Sequence, residues 1–243
     1  MMNFNSATDI NEMLRGMYPY RIELHAHTNP VSGCSEIPPE ALVRMYREKG
    51  VHGIVITNHM IPSLVQKEKE DAINWYLSDY EKAREAGKEL GISVFLGAEL
   101  RFSENINDYL LYGADTEILK TCYDYLDRTV TDFRKEVSLP ESVFLQAHPF
   151  RNGMELCPPD LLDGMECLNL HPNHNSRVGI ATRYAYEKNL KIKIAGSDLH
   201  HPGQDSLALL RVKQLPEDSF QIARILKSGD FLFELGDGSL WIP

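Results

Sequence analysis

The stretch "RIELHAHT", residues 21–28, decides how the rest of this chain is read. In a β-strand, side chains alternate between faces, so Ile22, Leu24 and Ala26 take one side while His25 and His27 share the other. Ala26 leaves space between the two imidazoles. Two histidines side by side at a strand's end raise the question of which other donors converge on that end.

Six further apolar runs continue the pattern: "GIVITNH", "SVFLGAEL", "DYLLYG", "VFLQAH", "MECLNLH" and "IKIAGSD". Helical patterns separate most of them. "PPEALVRMYREKG" has proline in its first turn and glycine at its end, and "QKEKEDAINWYLSDYEKAREAGKELG", "TEILKTCYDYLDR" and "SRVGIATRYAYEKN" are amphipathic. Nearly continuous apolar strands between amphipathic helices predict a parallel sheet covered on both faces, and about seven such repeats predict an α/β, TIM-like barrel. The strands end in a consistent chemistry: His25 and His27, then His59, Glu99, His148, His171, and finally Asp198 with His200. Parallel strands bring their C-terminal ends to one rim, where barrel enzymes assemble their sites. A single histidine in such a place is ordinarily a buried, hydrogen-bonded imidazole. A series of imidazoles and carboxylates at corresponding strand ends instead predicts a site for Zn²⁺, Mn²⁺ or Fe²⁺, with a carboxylate able to bridge two ions.

Bulk properties are consistent with this and exclude other classes. At 243 residues the chain has the size of one large α/β domain, and with no linker, repeat or low-complexity tract a single domain over 1–243 is expected. A formal charge of −10 argues against an extended nucleic-acid-binding surface. The opening "MMNFNSATDI" lacks the basic and apolar regions of a leader, and no apolar stretch reaches membrane-spanning length, so a cytoplasmic protein is expected. Cys34, Cys122, Cys157 and Cys167 form no C-x-x-C pair and are expected to be reduced thiols.

The ordered motifs "ELHAHT", "GIVITNH", "LGAEL", "QAHPFR" and "AGSDLHHP", spread over residues 21–204, resemble the PHP family, named for polymerase and histidinol phosphatase proteins. The resemblance implies a distorted (β/α)₇ barrel with two or three divalent ions, and many stand-alone members hydrolyse phosphate esters. Carried over by position, it implies His25, His27, Glu99 and Asp198 as ligands of one ion, Glu99 as a bridge to a second held by His148, and His59 with His200 as ligands of a third. Two family positions are unmatched. The first loop reads "TNPVSGCSE" without histidine, and residues 100–147 contain none. Cys34, Asp108 and His171 are the available substitutes, with small buried cysteine the commoner fate for Cys34 and His171 favoured among the three. Asn58 stands where an aspartate is more usual and would orient His59 without a charge. His52, at the opposite end of its strand, is left out of the site.

The expected function is a metal-dependent phosphoesterase acting on a small phosphorylated molecule by activated water, without a covalent intermediate. No G-x-S-x-G elbow or Walker loop offers a different chemistry. Arg101, Arg151 and Arg177, with His171, are candidate phosphate and substrate contacts, Arg151 and Arg177 acting also in catalysis. His201 is the candidate proton donor to the leaving alcohol. The alternatives are a metal-dependent hydrolase of non-phosphate bonds, or a regulatory module with a vestigial site. No oligomeric state follows from the sequence.

Overall fold

The computed structural model describes residues 7–243. The opening residues, on which the leaderless reading rests, lie largely outside them. Eleven strands form one curled sheet: β1 (Tyr20–Ala26), β2 (Gly53–Ile56), β3 (His59–Met60), β4 (Ser93–Arg101), β5 (Asp108–Tyr112), β6 (Val143–Gln146), β7 (Gly164–Asn169), β8 (Ile192–Gly196), β9 (Ala208–Val212), β10 (Leu232–Leu235) and β11 (Leu240–Trp241). Seven helices accompany them: α1 (Ala7–Met17), α2 (Pro39–Glu48), α3 (Lys69–Leu90), α4 (Thr116–Tyr123), α5 (Val130–Glu136), α6 (Val178–Glu187) and α7 (Ser219–Ser228). The strand order is β11-β10-β9-β1-β2-β4-β5-β6-β7-β8, with β3 pairing β4. This is a distorted TIM-like barrel, and each of the seven apolar runs contributes a strand.

The expectation of an all-parallel sheet is corrected. β5 pairs antiparallel with both β4 and β6, and β9 pairs antiparallel with β1. The reason is loop length: residues 102–107 alone join β4 to β5, whereas a parallel crossover needs about a dozen residues or more. β5 therefore presents its beginning, Asp108, at the rim where the parallel strands end, through the pairing of Arg101 with Asp108.

The barrel closes where β1 ends. Ala26 bridges Leu199 in parallel register, the amide of His27 donates to the Leu199 carbonyl at 3.0 Å, and that of Leu199 donates to the His25 carbonyl at 3.1 Å. Closure thus sets His25 and His27 beside Asp198 and His200. Two register irregularities lie at the same place, between Glu23 and Ala26 of β1 and between Glu166 and Leu168 of β7. Bulges of this kind re-aim side chains and concentrate beside functional sites.

Below the rim the core is apolar. Ile22, Leu24, Val55, Tyr112, Leu145, Ile194 and Leu210 pack with Ile222 and Leu226 of α7, and Ala26, Ile54 and Ile56 pack against Leu42 and Tyr46 of α2 and Ala83 of α3. Among the described residues, no helix is long and apolar enough to cross a membrane.

Candidate metal centre

His25 and His27 are fully buried at the end of β1, and each has one ring nitrogen committed. Nδ1 of His25 lies 2.8 Å from Oε1 of Glu166, and Nδ1 of His27 lies 3.2 Å from Oγ of Ser32. Glu166 accepts only as a carboxylate, so Nδ1 of His25 carries a proton and Nε2 is the ring atom left to face a cation. Ser32 donates its own proton to Asn58 at 3.0 Å, which assigns His27 the same tautomer. The two Nε2 atoms face each other at 3.1 Å, a position that a shared proton or a cation can occupy.

Carboxylates surround that pair. Nε2 of His25 stands 3.4 Å from Glu99 and 3.3 Å from Asp198, and Nε2 of His27 stands 3.2 Å and 3.4 Å from the same two residues. Donor atoms bound to one cation at about 2.0–2.2 Å are themselves separated by about 3.0–3.5 Å, the spacing seen here. Glu99 reaches further: Oε1 is 3.0 Å from Nε2 of His148, and Oε2 is 3.0 Å from Nδ1 of His59. Three groups of donors have the proximity a metal ion requires: His25, His27 and Glu99; His27, His59 and His200; and His59, Glu99 and Asp108.

Charge and hydrogen bonding both fit divalent cations. Oε2 of Glu99 and Nδ1 of His59 are buried 3.0 Å apart yet form no aligned hydrogen bond with each other or with any other group, a costly state that a cation between them would relieve. Four buried carboxylates, Glu99, Asp108, Glu166 and Asp198, meet two guanidinium groups. Arg101 donates to Asp108 through Nε and Nη2, both at 2.8 Å, and Arg151 donates to Asp198 at 2.6 Å. Negative charge is left over. Burial opposes charge on Glu99 and Asp198, yet the surrounding histidines hold both pKa values well below the usual carboxylate range. Burial likewise opposes charge on His25, but Glu166, Asp198 and Glu99 hold its pKa well above that of a free imidazole. The cluster therefore draws in positive charge, as protons or as metal. Burial, reinforced by His27, pushes His200 down to about 3, so its ring is neutral and able to bind a cation at neutral pH.

Glu166 is the functional residue that the sequence reading missed. Besides His25 it accepts from the His148 amide at 2.9 Å and from Nδ2 of Asn169 at 3.0 Å, so it orients candidate ligands from two strand ends. Gly196 makes room for it, since a Cβ there would lie 2.2 Å from Oε1 of Glu166 and 2.9 Å from Cβ of His25. The available signal was an acidic residue in an otherwise apolar strand, "MECLN". His148 and Asp198 adopt φ of 29° and 53°, left-handed conformations that cost energy outside glycine and gather at functional sites.

The remaining candidates lie around this centre. His171 is buried with its ring 5.3 Å from that of His200, belongs to none of the three donor groups, and is pushed down to about 4 by burial. Asp108 enters a donor group and Cys34 enters none. Cys34 is exposed rather than buried, because the first loop turns outward there. Asn58 does not touch the His59 ring. It accepts from the Thr28 amide at 2.7 Å and from Ser32, fixing the loop that steadies His27. His201 is half-exposed, 3.2 Å from Glu36. Arg177 gives its guanidinium to the Phe150 carbonyl and to Asn152, bracing the segment that carries Arg151. His52, at the far end, accepts from the Arg21 amide.

No curated protein matches this sequence. Among solved structures, a two-domain protein from Bacteroides vulgatus described as containing a predicted PHP-like metal-dependent phosphoesterase superposes with a TM-score of 0.61 at 16% identity. The alignment covers 89% of this chain and 64% of that protein, so this chain spans less than two thirds of its length. PsfC from Pseudomonas syringae gives 0.58 at 14% identity, covering 83% and 86% of the two chains. At such identities the likeness speaks for the fold alone. The PHP domain family itself matches over residues 23–237, nearly the whole chain, and that span holds every donor described above. Family and donor clusters together support a metal-dependent hydrolase. The chain belongs to the PHP domain family.

Proposed function

We propose that this protein is a metal-dependent phosphoesterase that hydrolyses a small phosphomonoester. The observation that carries the reading is the facing pair of Nε2 atoms of His25 and His27, 3.1 Å apart and enclosed by Glu99 and Asp198, with Arg101 and Arg151 at the same rim. His25, His27, Glu99 and Asp198 would hold one ion, Glu99, His148 and Asp108 a second, and His59 and His200 a third more loosely, as Zn²⁺, Mn²⁺ or Fe²⁺. Bound there, such ions would acidify water at neutral pH and offset the charge of phosphoryl oxygens.

The chain's own residues have distinct parts. Arg101 gives Nε and Nη2 to Asp108, which leaves Nη1 for a phosphoryl oxygen, and Arg151 keeps a buried Nε without a partner. His171, neutral and beside His200, contacts substrate, and Arg177 holds the Arg151 segment in place. Water forms the new P–O bond, the ester P–O bond breaks, and His201 delivers a proton to the departing alcohol. Removing metal with a chelator, measuring metal content, and screening phosphomonoesters with and without added Mn²⁺ or Zn²⁺ tests this. Full activity in metal-free protein, or hydrolysis of amides in place of phosphates, overturns it.

A further inference from the structure

A cavity of ≈ 540 Å³ opens beside the metal centre, with His59 and Arg101 in its wall. Its volume suits a small organic group. Val31, Ile61, Leu64 and Trp75 line it with apolar surface, beside Ser32, Cys34 and Ser63, brought together by the first loop, the segment after β3 and α3. Leu64 and Val31 are buried, and Trp75 is half-buried.

The charge inventory is more selective than the size. Among the described residues lining this cavity there is no carboxylate, so a substrate ammonium held at the Trp75 and Leu64 end, away from Glu99 and Asp108, would have no direct counter-charge. Arg101 is the single permanent cation of the wall, and half of its fork is taken by Asp108. One phosphoryl group at the metal rim is matched, and a second phosphate deeper in the cavity is not. Lys67, nearby, has its ammonium 5.9 Å from the Trp75 ring centroid and so has an aromatic partner of its own. A neutral group with a flat apolar face would gain from Trp75 and leave no buried polar atom unpaired.

We propose that this cavity binds the alcohol part of the substrate, and that this part is an uncharged aromatic or similarly flat apolar group, so that amino-alcohol phosphates and polyphosphates are poor substrates. The proposal rests on the phosphoesterase reading for its chemistry and on the cavity alone for its binding. The phosphate sits at the His59 and Arg101 end, and the carbon skeleton extends toward Trp75 and Leu64.

The test compares 1-naphthylmethyl phosphate with phosphoethanolamine and glycerol phosphate. All three release primary alcohols of similar acidity, so the ratio of kcat/KM reads recognition more than leaving-group quality. The metal-loaded protein is expected to favour the naphthylmethyl ester by ~10-fold or more, and Trp75→Ala to lower that ratio by ~10-fold, with Trp75→Phe restoring most of it. A wild-type preference for phosphoethanolamine or glycerol phosphate overturns the proposal. Binding is read separately with 1-naphthalenemethanol, which carries no phosphate: it should quench tryptophan fluorescence in the wild type and not in Trp75→Phe. Quenching without hydrolysis of any phosphate ester would sink the phosphoesterase reading and leave the cavity assignment standing. Absence of quenching overturns the cavity assignment whatever the catalytic result.

Discussion

Replacing Glu166 with glutamine should weaken metal binding by ~10–100-fold although Glu166 belongs to none of the three donor groups, an effect typical of groups that orient ligands. The magnitude follows from three donors that converge on this carboxylate: Nδ1 of His25 at 2.8 Å, the His148 amide at 2.9 Å and Nδ2 of Asn169 at 3.0 Å. Glutamine has the same shape but one acceptor oxygen. If that oxygen faces His148 and Asn169, the new NH₂ faces His25 and favours the tautomer with its proton on Nε2, the atom that should hold the cation. If the amide is turned the other way, NH₂ meets the His148 and Asn169 donors instead. The first arrangement puts a proton on the ligand atom, and the second leaves two buried donors without an acceptor, at a cost of about 1–3 kcal/mol. Calorimetric titration of the metal-free variant with Mn²⁺ and Zn²⁺, with circular dichroism to confirm folding, gives the number directly. A folded Glu166→Gln protein that binds both metals within twofold of wild type would refute the tautomer argument.

Four further outcomes are expected. Glu99→Gln should lower metal content and activity by more than ~100-fold, and His171→Gln by much less, because Glu99 faces four imidazoles and His171 stands beside the cluster; equal losses by elemental analysis and rate would show the bridge to be misplaced. Gly196→Ala forces a methyl against Glu166 and His25, so thermal unfolding should shift down by about 2–10 °C, from an overpacking cost of about 1–3 kcal/mol; an unchanged midpoint would contradict it. Burial pushes Cys122 and Cys167 up to about 12 and Cys157 to about 11, which leaves a thiolate fraction below about 10⁻² at pH 8, so native alkylation should modify Cys34 alone and reach the others after unfolding. Metal added to the isolated protein should raise activity in a second, low-affinity phase as His59 and His200 fill, and this phase should strengthen as pH rises because Glu99 holds the His59 imidazole protonated and it binds metal only once deprotonated, His200 being neutral already; three tightly held ions without added metal would disprove it.

How far the sequence carries can be argued from particular residues. Strand-end donors were legible because a period of two puts His25 and His27 on one face, and a short apolar run ending in a polar group is a local pattern. Strand direction was not local in that sense. Only the brevity of residues 102–107 betrayed the reversal at β5, and that reversal is what delivers Asp108 to the rim. β9, β10 and β11 follow the last motif and were not read from pattern, since their pairing depends on β1, far away in sequence. Glu166 escaped for a related reason: its role is set by residues 141 positions away at His25 and 18 away at His148. Cys34 was read as buried from the habit of its residue type, and the outward loop decided otherwise.

The seam between Ala26 and Leu199 has a consequence for how the protein is made. The paired histidines leave the ribosome well before Asp198 and His200, which lie more than about 170 residues further along the chain. Until the seam forms, a nascent chain offers two imidazoles and no enclosing carboxylate pair, a weak and unselective trap for divalent metals. Ion capture and this long-range step of folding would therefore coincide, and a cation bound to the finished seam would hold both chain segments in place. Starving a synthesising system of metal should lengthen the lifetime of protease-sensitive, nearly complete chains, with the first cuts falling in the segments that flank residues 25 and 199.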